Sequence, residues 1–382
     1  ALAAQAGALA RPRPVGSVVK PLRLPVWPVV NGLALTALDL LGQQGLATDL
    51  EVKLGGRVAP MSLDAADADP FILLVHHRHR FSPWDPIRPI FNLLLPEGFP
   101  AHPHRGFETV TMTMHGGLLH RDSIGVKQKY GDGQVQWLTA GKGMLHEEMW
   151  WSDQSGRAEL FQLWLNLPAR SKMLPPKIQL FSPPLAEVTT AAAAFTAPAA
   201  AAPKTVSVDA VAGGARPVRV HVMGGEHEGV SAGVELAGGP VTLLRVELPV
   251  GSVWECDLPA GHNCVIYTRL GAVKAGAVSE MTDVTAHHLA YLPARLASGS
   301  DGLRLENAAG IEADVLVLAG QPLREPMAGG GTWVMNSQAE LAQADRDYAA
   351  GQFGIPWRHT DSDEEWQAHV QKTSPPSLMR RE

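Results

Sequence analysis

The chain has 382 residues, 45% of them hydrophobic and 18% charged, with a formal charge of −6 and a pI near 6.2. That length accommodates two domains with substantial cores, and the composition excludes a disorder-dominated class. The acidic balance gives no general attraction to phosphate backbones and no local basic patch stands out, so direct nucleic-acid binding is not expected.

Residues 1–60 read as an N-terminal extension. Its first acidic residue is Asp39, and before it Arg11, Arg13, Lys20 and Arg23 lie among alanines, glycines and prolines. Basic, acid-poor sequence of this kind resembles the remnant of an organelle transit peptide, a chloroplast one included. The competing readings are an unstructured or loosely packed extension and a docking segment. Residues 24–38 are apolar, but Pro25, Pro28, Asn31 and Gly32 interrupt them and Asp39 closes the run. The segment is too short and too broken to span a membrane.

Residues 61–185 carry short strand patterns bounded by turn signals. The stretch Glu108-Thr109-Val110-Thr111-Met112-Thr113-Met114 alternates threonine with larger apolar residues, as a strand with two different faces should. Many short strands at close spacing indicate a sandwich or small barrel. Two paired clusters carry the chemistry. In extended chain, His102 and His104 point the same way while Pro103 points oppositely, and His146 and Glu148 likewise share a face that Glu147 does not. Imidazoles with one carboxylate and no thiolate suit a divalent first-row metal used for chemistry, since structural zinc favours closed cysteine-rich sites. Around an octahedral ion, four such ligands leave room for water, O2 or substrate. Arg105, Glu108, Thr139, Lys142 and Met144 are candidates for the surrounding pocket.

Residues 186–215 are a low-complexity, alanine-rich linker in which Pro198 and Pro203 limit any helix. Strand patterns resume over residues 216–335, as in Val218-Arg219-Val220-His221-Val222 and Val315-Leu316-Val317-Leu318. No His-x-His or His-x-Glu arrangement occurs there, so a second metal site is not expected, and this half reads as scaffold or partner surface. Cys256 and Cys264 read as two free, buried thiols in a reducing, intracellular compartment. In residues 336–382, Ser337-x-x-Glu340 makes a capping box, Leu341, Ala344 and Tyr348 follow at helical spacing, and Gly351 ends the helix. The remainder, with Asp361, Asp363, Glu364 and Glu365, reads as a solvated tail.

The block Ala101-His102-Pro103-His104-Arg105-Gly106-Phe107-Glu108, with His120-Arg121-Asp122, Thr139-Ala140-Gly141-Lys142-Gly143, the second cluster, Phe161-Gln162-Leu163-Trp164 and Trp333-Val334-Met335-Asn336, resembles the pirin family of bicupins. The resemblance covers about residues 61–355. It implies an all-β fold of two tandem cupin jelly-roll barrels, with a short C-terminal helix and the N-terminal extension outside them. It implies one Fe(II) per chain in the N-terminal cupin, held by His102, His104, His146 and Glu148. Glu108 stands where many other cupins place a carboxylate ligand, but in pirins the later glutamate does that job. The implied activity is that of a quercetin 2,3-dioxygenase, a non-haem iron oxidoreductase acting on a flavonol or related small phenolic with O2. Glu148 is then also the catalytic proton acceptor from the substrate hydroxyl. The alternative is a redox-responsive interaction protein resembling a transcriptional co-regulator, or a structural subunit that docks through residues 1–60 and the linker. Two departures bear on substrate choice: Trp150-Trp151 follows Met149 where pirins usually continue with proline, and Val75 stands where an aspartate is usual.

Overall fold

The structure, a computed structural model, describes residues 11–82, 85, 88–92, 96–188, 216–277, 279–294 and 301–378. Strand-forming sequence builds both halves alike. The N-terminal half contributes β1 (Arg57–Ser62), β2 (Phe71–Arg80), β3 (Gly98–His104), β4 (Phe107–His115), β5 (Gly117–Asp122), β6 (Lys127–Gly131), β7 (Val135–Thr139), β8 (Met144–Trp151), β9 (Arg157–Asn166) and β10 (Lys177–Phe181). They form a large sheet of order β10-β7-β4-β9-β2-β1, extended by Leu24–Pro25, and a smaller one of order β3-β8-β5-β6.

The C-terminal half repeats the plan with β11 (Val218–Gly224), β12 (Val241–Leu248), β13 (Val253–Leu258), β14 (Asn263–Leu270), β15 (Ala272–Ala277), β16 (Glu280–Thr285), β17 (Leu289–Leu292), β18 (Asp301–Glu306) and β19 (Ala313–Gly320). Its large sheet runs β11-β12-β19-β14-β17, and β18 joins β13, β15 and β16 in the smaller one. This is the expected pair of cupin barrels.

The two large sheets pack against each other. Phe71, Leu74, Val110, Met112, Phe161 and Leu163 of the first form one buried cluster with Leu243, Val265, Tyr267, Leu316 and Leu318 of the second. Strand β4 shows how the sequence serves both sides. Val110, Met112 and Met114 enter this shared core, while Thr109, Thr111 and Thr113, equally buried, face the interior of the first barrel. The second barrel is filled by apolar side chains such as Val220, Leu244, Ile266, Leu305 and Val317.

Residues 11–56 are packed rather than loose; they strap the two barrels together. Arg11–Pro12 pairs with β18 and Ser17–Val19 with β17, both in the second barrel, and Leu24–Pro25 then pairs with β1 in the first. Two helices follow, α1 (Val29–Leu40) and α2 (Gln44–Leu54). At Gly32 a Cβ would sit 2.1 Å from the Gly56 carbonyl, so only glycine lets α1 lie this close. Two basic residues of the strap, Arg13 and Arg23, are buried and paired, while Lys20 is exposed. Arg13 donates to the carbonyls of His262 at 2.5 Å and Leu292 at 3.2 Å. Arg23 and Arg57 share the carboxylate of Glu51, which is fully buried.

A second ionic group ties the barrels directly. Glu159 on β9 accepts from His76 Nε2 and Arg78 Nε on β2, each at 2.9 Å, and from Arg269 on β14 at 2.8 and 2.9 Å. Arg269 also donates to Asp314 on β19 at 2.6 Å, and His76 Nδ1 lies 2.9 Å from the Tyr267 hydroxyl. Burial alone would raise the Glu159 carboxyl, but the charges of Arg269 and Arg78 hold it well below the usual range.

The C-terminal region forms α3 (Gln338–Ala349), capped by Ser337 as expected, and then a second helix, α4 (Asp363–Thr373), where the acidic run suggests a solvated tail. Ser362 and Glu365 make a reciprocal capping box, and the acidic residues sit in the first turn, where the helix dipole favours them. Trp366 and Val370, one turn apart, are buried with Leu145, Trp333, Leu341, Phe353 and Trp357. Of the alanine-rich linker at 186–215, all but residues 186–188 lie outside the described residues. Among the described residues no helix is long and apolar enough to cross a membrane.

Two outcomes follow for stability. Glu159→Ala leaves Arg78 and Arg269 buried without their shared counter-charge, and urea unfolding should show a loss of about 3–5 kcal/mol; a loss under 1 kcal/mol would contradict the role given to this group. Burial pushes His76 down to about 3 and His227 to about 4, so both stay neutral in the folded chain. In the unfolded chain they charge below about 6.5, so the unfolded state then binds more protons and stability falls as pH drops from 6.5 toward 4. Unfolding midpoints that stay level across that window would refute it.

Candidate metal centre

The smaller sheet of the first barrel sets the site through its register. Antiparallel pairing of β3 with β8 puts His102 opposite His146 and His104 opposite Met144; pairing of β8 with β5 puts Glu148 opposite His120 and His146 opposite Asp122. Residues two apart on a strand share a face. His102 and His104, His146 and Glu148, and His120 and Asp122 therefore project from three neighbouring strands into one interior. The β3–β8 register shifts between His146 and Glu148, and the chain enters this bulge through Gly98 at φ 151°, where a Cβ would meet the Glu148 carbonyl at 2.4 Å.

Two overlapping groups of three result. Donor atoms of His102, His104 and His146 lie within 4.8 Å of one another, as do those of His120, His146 and Glu148. The four side chains expected from the sequence thus line one chamber, with His146 common to both groups. His120 is a fifth neighbour to which the sequence alone assigns no role. Its signal is a His-x-Asp pair on an alternating strand, which means nothing until the register sets it beside Glu148.

Hydrogen bonds orient these groups. His102 Nδ1 lies 2.9 Å from the Pro100 carbonyl, so it is the protonated nitrogen and Nε2 keeps its lone pair. His120 Nε2 lies 2.9 Å from Asp122 Oδ2, and Asp122 is itself held by the backbone N–H groups of Ile124 and Val126, each at 2.9 Å. Glu148 accepts from Gln162 at 2.8 Å, with Tyr130 at 3.3 Å and Thr111 at 3.4 Å on its other oxygen. Burial first, then the Glu148 charge, pushes the Tyr130 phenol well above its ordinary range, so it stays a donor. Burial, followed by the neighbouring imidazoles, pushes His104 and His146 far down, leaving both neutral.

Whether a metal fits is answered by the nitrogens left over. His104 Nδ1, His120 Nδ1 and both nitrogens of His146 are buried without a hydrogen-bond partner. An unmade buried hydrogen bond costs about 1–3 kcal/mol, and a cation that takes one lone pair from each of the three rings accounts for three of these four nitrogens, the other nitrogen of His146 carrying its proton. The donor set is imidazole and carboxylate, because the two free cysteines, Cys256 and Cys264, lie in the other barrel. It fits a divalent first-row ion.

Other candidates fall elsewhere. Glu108 projects from the opposite face of β4 to Thr109 and Thr111, and accepts from Thr139 at 2.6 Å; burial raises its carboxyl to about 7. Arg105 donates to Asp347 of α3 at 2.7 Å and lies 4.6 Å over the Phe353 ring, and Lys142 reaches the Ser377 carbonyl at 2.8 Å. Met144 packs with Ile124 and Leu138. These residues hold the C-terminal region and the core in place. Trp150 does bear on the site. Two residues after Glu148, it is buried against His79 at 4.6 Å and His77 at 5.4 Å, with Phe99 between this group and His102. Val75, the other departure, pairs with Gln162 and precedes His77 and His79 on the same face of β2.

The Pirin family model matches residues 57–165, and that of the pirin C-terminal cupin domain matches residues 243–354. A Pseudomonas aeruginosa protein named "Putative quercetin 2,3-dioxygenase" is 35% identical over 259 residues, covering 67% of this chain and 79% of the relative. Pirin of Homo sapiens is 33% identical over 261 residues, covering 68% and 79% respectively. A solved quercetin 2,3-dioxygenase from Acinetobacter baumannii superposes with a TM-score of 0.64 at 25% identity, over 90% of this chain and 98% of that one.

Because His146 serves both groups, His146→Gln should lower the metal content of loaded protein to about a tenth or less, by elemental analysis. Glu108→Gln should leave it unchanged. Equal metal in both variants would place the ion elsewhere.

Proposed function

The chain belongs to the pirin family, and from that premise we propose that it is an Fe(II)-dependent oxygenase that opens a flavonol or related small phenolic with O2, as the names of its quercetin 2,3-dioxygenase relatives suggest. The observation that carries the reading is the set of partnerless imidazole nitrogens gathered beside one carboxylate in a barrel interior. His102, His104, His146 and Glu148 would hold the iron, with His120 beside them. Ferrous iron, when bound, supplies the electron density that O2 needs to react with a closed-shell organic molecule.

The chain's own residues do the rest. His102 is the half-buried ligand and the others are buried, so substrate arrives on its side, past Phe99 and Trp150. Those rings, with His77, suit a flat aromatic compound. Glu148 accepts the proton of the substrate hydroxyl, and Gln162, Tyr130 and Thr111 keep its carboxylate in place while it does so. Burial of the chamber keeps water from competing for open positions. The two free, buried thiols suit a reducing, intracellular compartment.

A second reading rests on a separate surface. Leu22, Val30, Leu33, Leu40 and Leu41 of the strap are all more than half exposed, which favours a protein docked through α1, as an iron-responsive interaction protein or an assembly subunit would be. Leu33→Glu with Leu40→Glu should abolish co-purification of such a partner without changing metal content, and unchanged co-purification removes this reading.

For the oxygenase, protein loaded with Fe(II) without air and then given O2 and quercetin should release carbon monoxide and a ring-opened product. Glu148→Gln should lower that turnover at least about a hundredfold. Iron-loaded protein that consumes no O2 with a broad panel of phenolics overturns the proposal.

A further inference from the structure

Among the described residues the second barrel holds no group of three close metal-ligating atoms, yet its core is open to a cavity of about 320 Å³. Its floor is apolar. Leu244 on β12, Leu258 on β13, and Val317 and Ala319 on β19 all line it and all belong to the barrel's buried core. Its mouth is acidic. Glu226 and Glu228 are exposed there beside Asp257, and Glu255 is engaged by Arg304.

Between mouth and floor sits His227. It is 7% exposed, and its Nε2 is buried with no hydrogen-bond partner. Glu228 Oε1, 3.9 Å away, is too distant to make a hydrogen bond. A tight hairpin fixes both side chains: Glu226–His227 pairs with Val230–Ser231, and the two connecting residues, Glu228 and Gly229, have φ 47° and 75°. Burial keeps His227 neutral at pH 7, so its lone pair is available as an acceptor. Burial and then the Asp257 charge raise the Glu228 carboxyl, a strain that a cation in the mouth would relieve.

The lining asks for a ligand with a positively charged head that donates N–H bonds and an apolar body. A bare divalent ion suits it less, since no three donors there approach closely. We propose that this cavity binds a primary-amine ligand, an alkyl- or arylalkyl-ammonium compound whose head lies among Glu226, Glu228 and His227 Nε2 and whose body lies on the apolar floor. The volume suits a small molecule of this class. The site is separate from the imidazole chamber of the first barrel and does not depend on the chemistry proposed there.

Isothermal titration of the full, iron-loaded chain with phenethylamine, and with phenylacetate as the probe of like shape and opposite charge, tests it. The amine should bind at one per chain and phenylacetate should not. Glu228→Gln and His227→Phe should each weaken the amine at least about tenfold, with iron content unchanged. Glu228 is exposed, so E228Q keeps the test open if H227F does not fold. Absence of amine binding, equal binding of the two probes, or an amine affinity unchanged in E228Q overturns the proposal.

Discussion

The chemistry of this chain hangs on the register of three short antiparallel strands. Sheet periodicity is two residues, so a slip of one position in β8 would turn His146 and Glu148 to the outside and bring Leu145 and Glu147 in. The outer face shows what prevents it. Leu145 is buried among the side chains of α3 and α4, and Glu147 is gripped by Arg121 of β5, which also donates to the Asp361 carbonyl at 2.8 Å. The C-terminal helices therefore act as a brace that makes only one register favourable. The bulge, an extra residue of β3 between Phe99 and His102, falls between the pairings of His146 and Glu148.

A barrel with unsatisfied imidazoles inside cannot draw its stability from its own interior. The first barrel turns the apolar face of β4 and β9 outward to a core shared with the second barrel, and the second keeps a conventional apolar filling. The strap of residues 11–56 adds strands to both, and the Glu51 and Glu159 groups neutralise arginines contributed from both sides of the junction. Buried ion pairs of this sort add little net stability but penalise any arrangement that separates their members. Their effect here is to fix how the barrels meet. Partnerless imidazole nitrogens sit in the chamber and in the acidic cavity, where a ligand can satisfy them.

Much of the site was legible because period two is visible in short words: His102-Pro103-His104 and His146-Glu147-Glu148 need only an extended backbone to converge. The threonine alternation of β4 and the Ser337 cap were legible for the same local reason. Long-range pairing was not. Nothing local in the sequence pairs Arg13 with the His262 carbonyl or Arg23 with Glu51. His120 becomes part of the chamber only through its partner strand. Lys142 and Arg105 sit next to the ligands in sequence, but their charges point to the C-terminal region. The α4 helix carries the same cap signature as α3, and its acidic first turn masked the Trp366 and Val370 stripe behind it.

The most direct test of the central claim is X-ray absorption of the iron-loaded chain, which reads the atoms around the metal whether or not a substrate is known. The account predicts one iron per chain whose spectrum shows the outer-shell scattering of three imidazole rings together with oxygen. A spectrum of oxygen neighbours alone, with no imidazole signature, would contradict it.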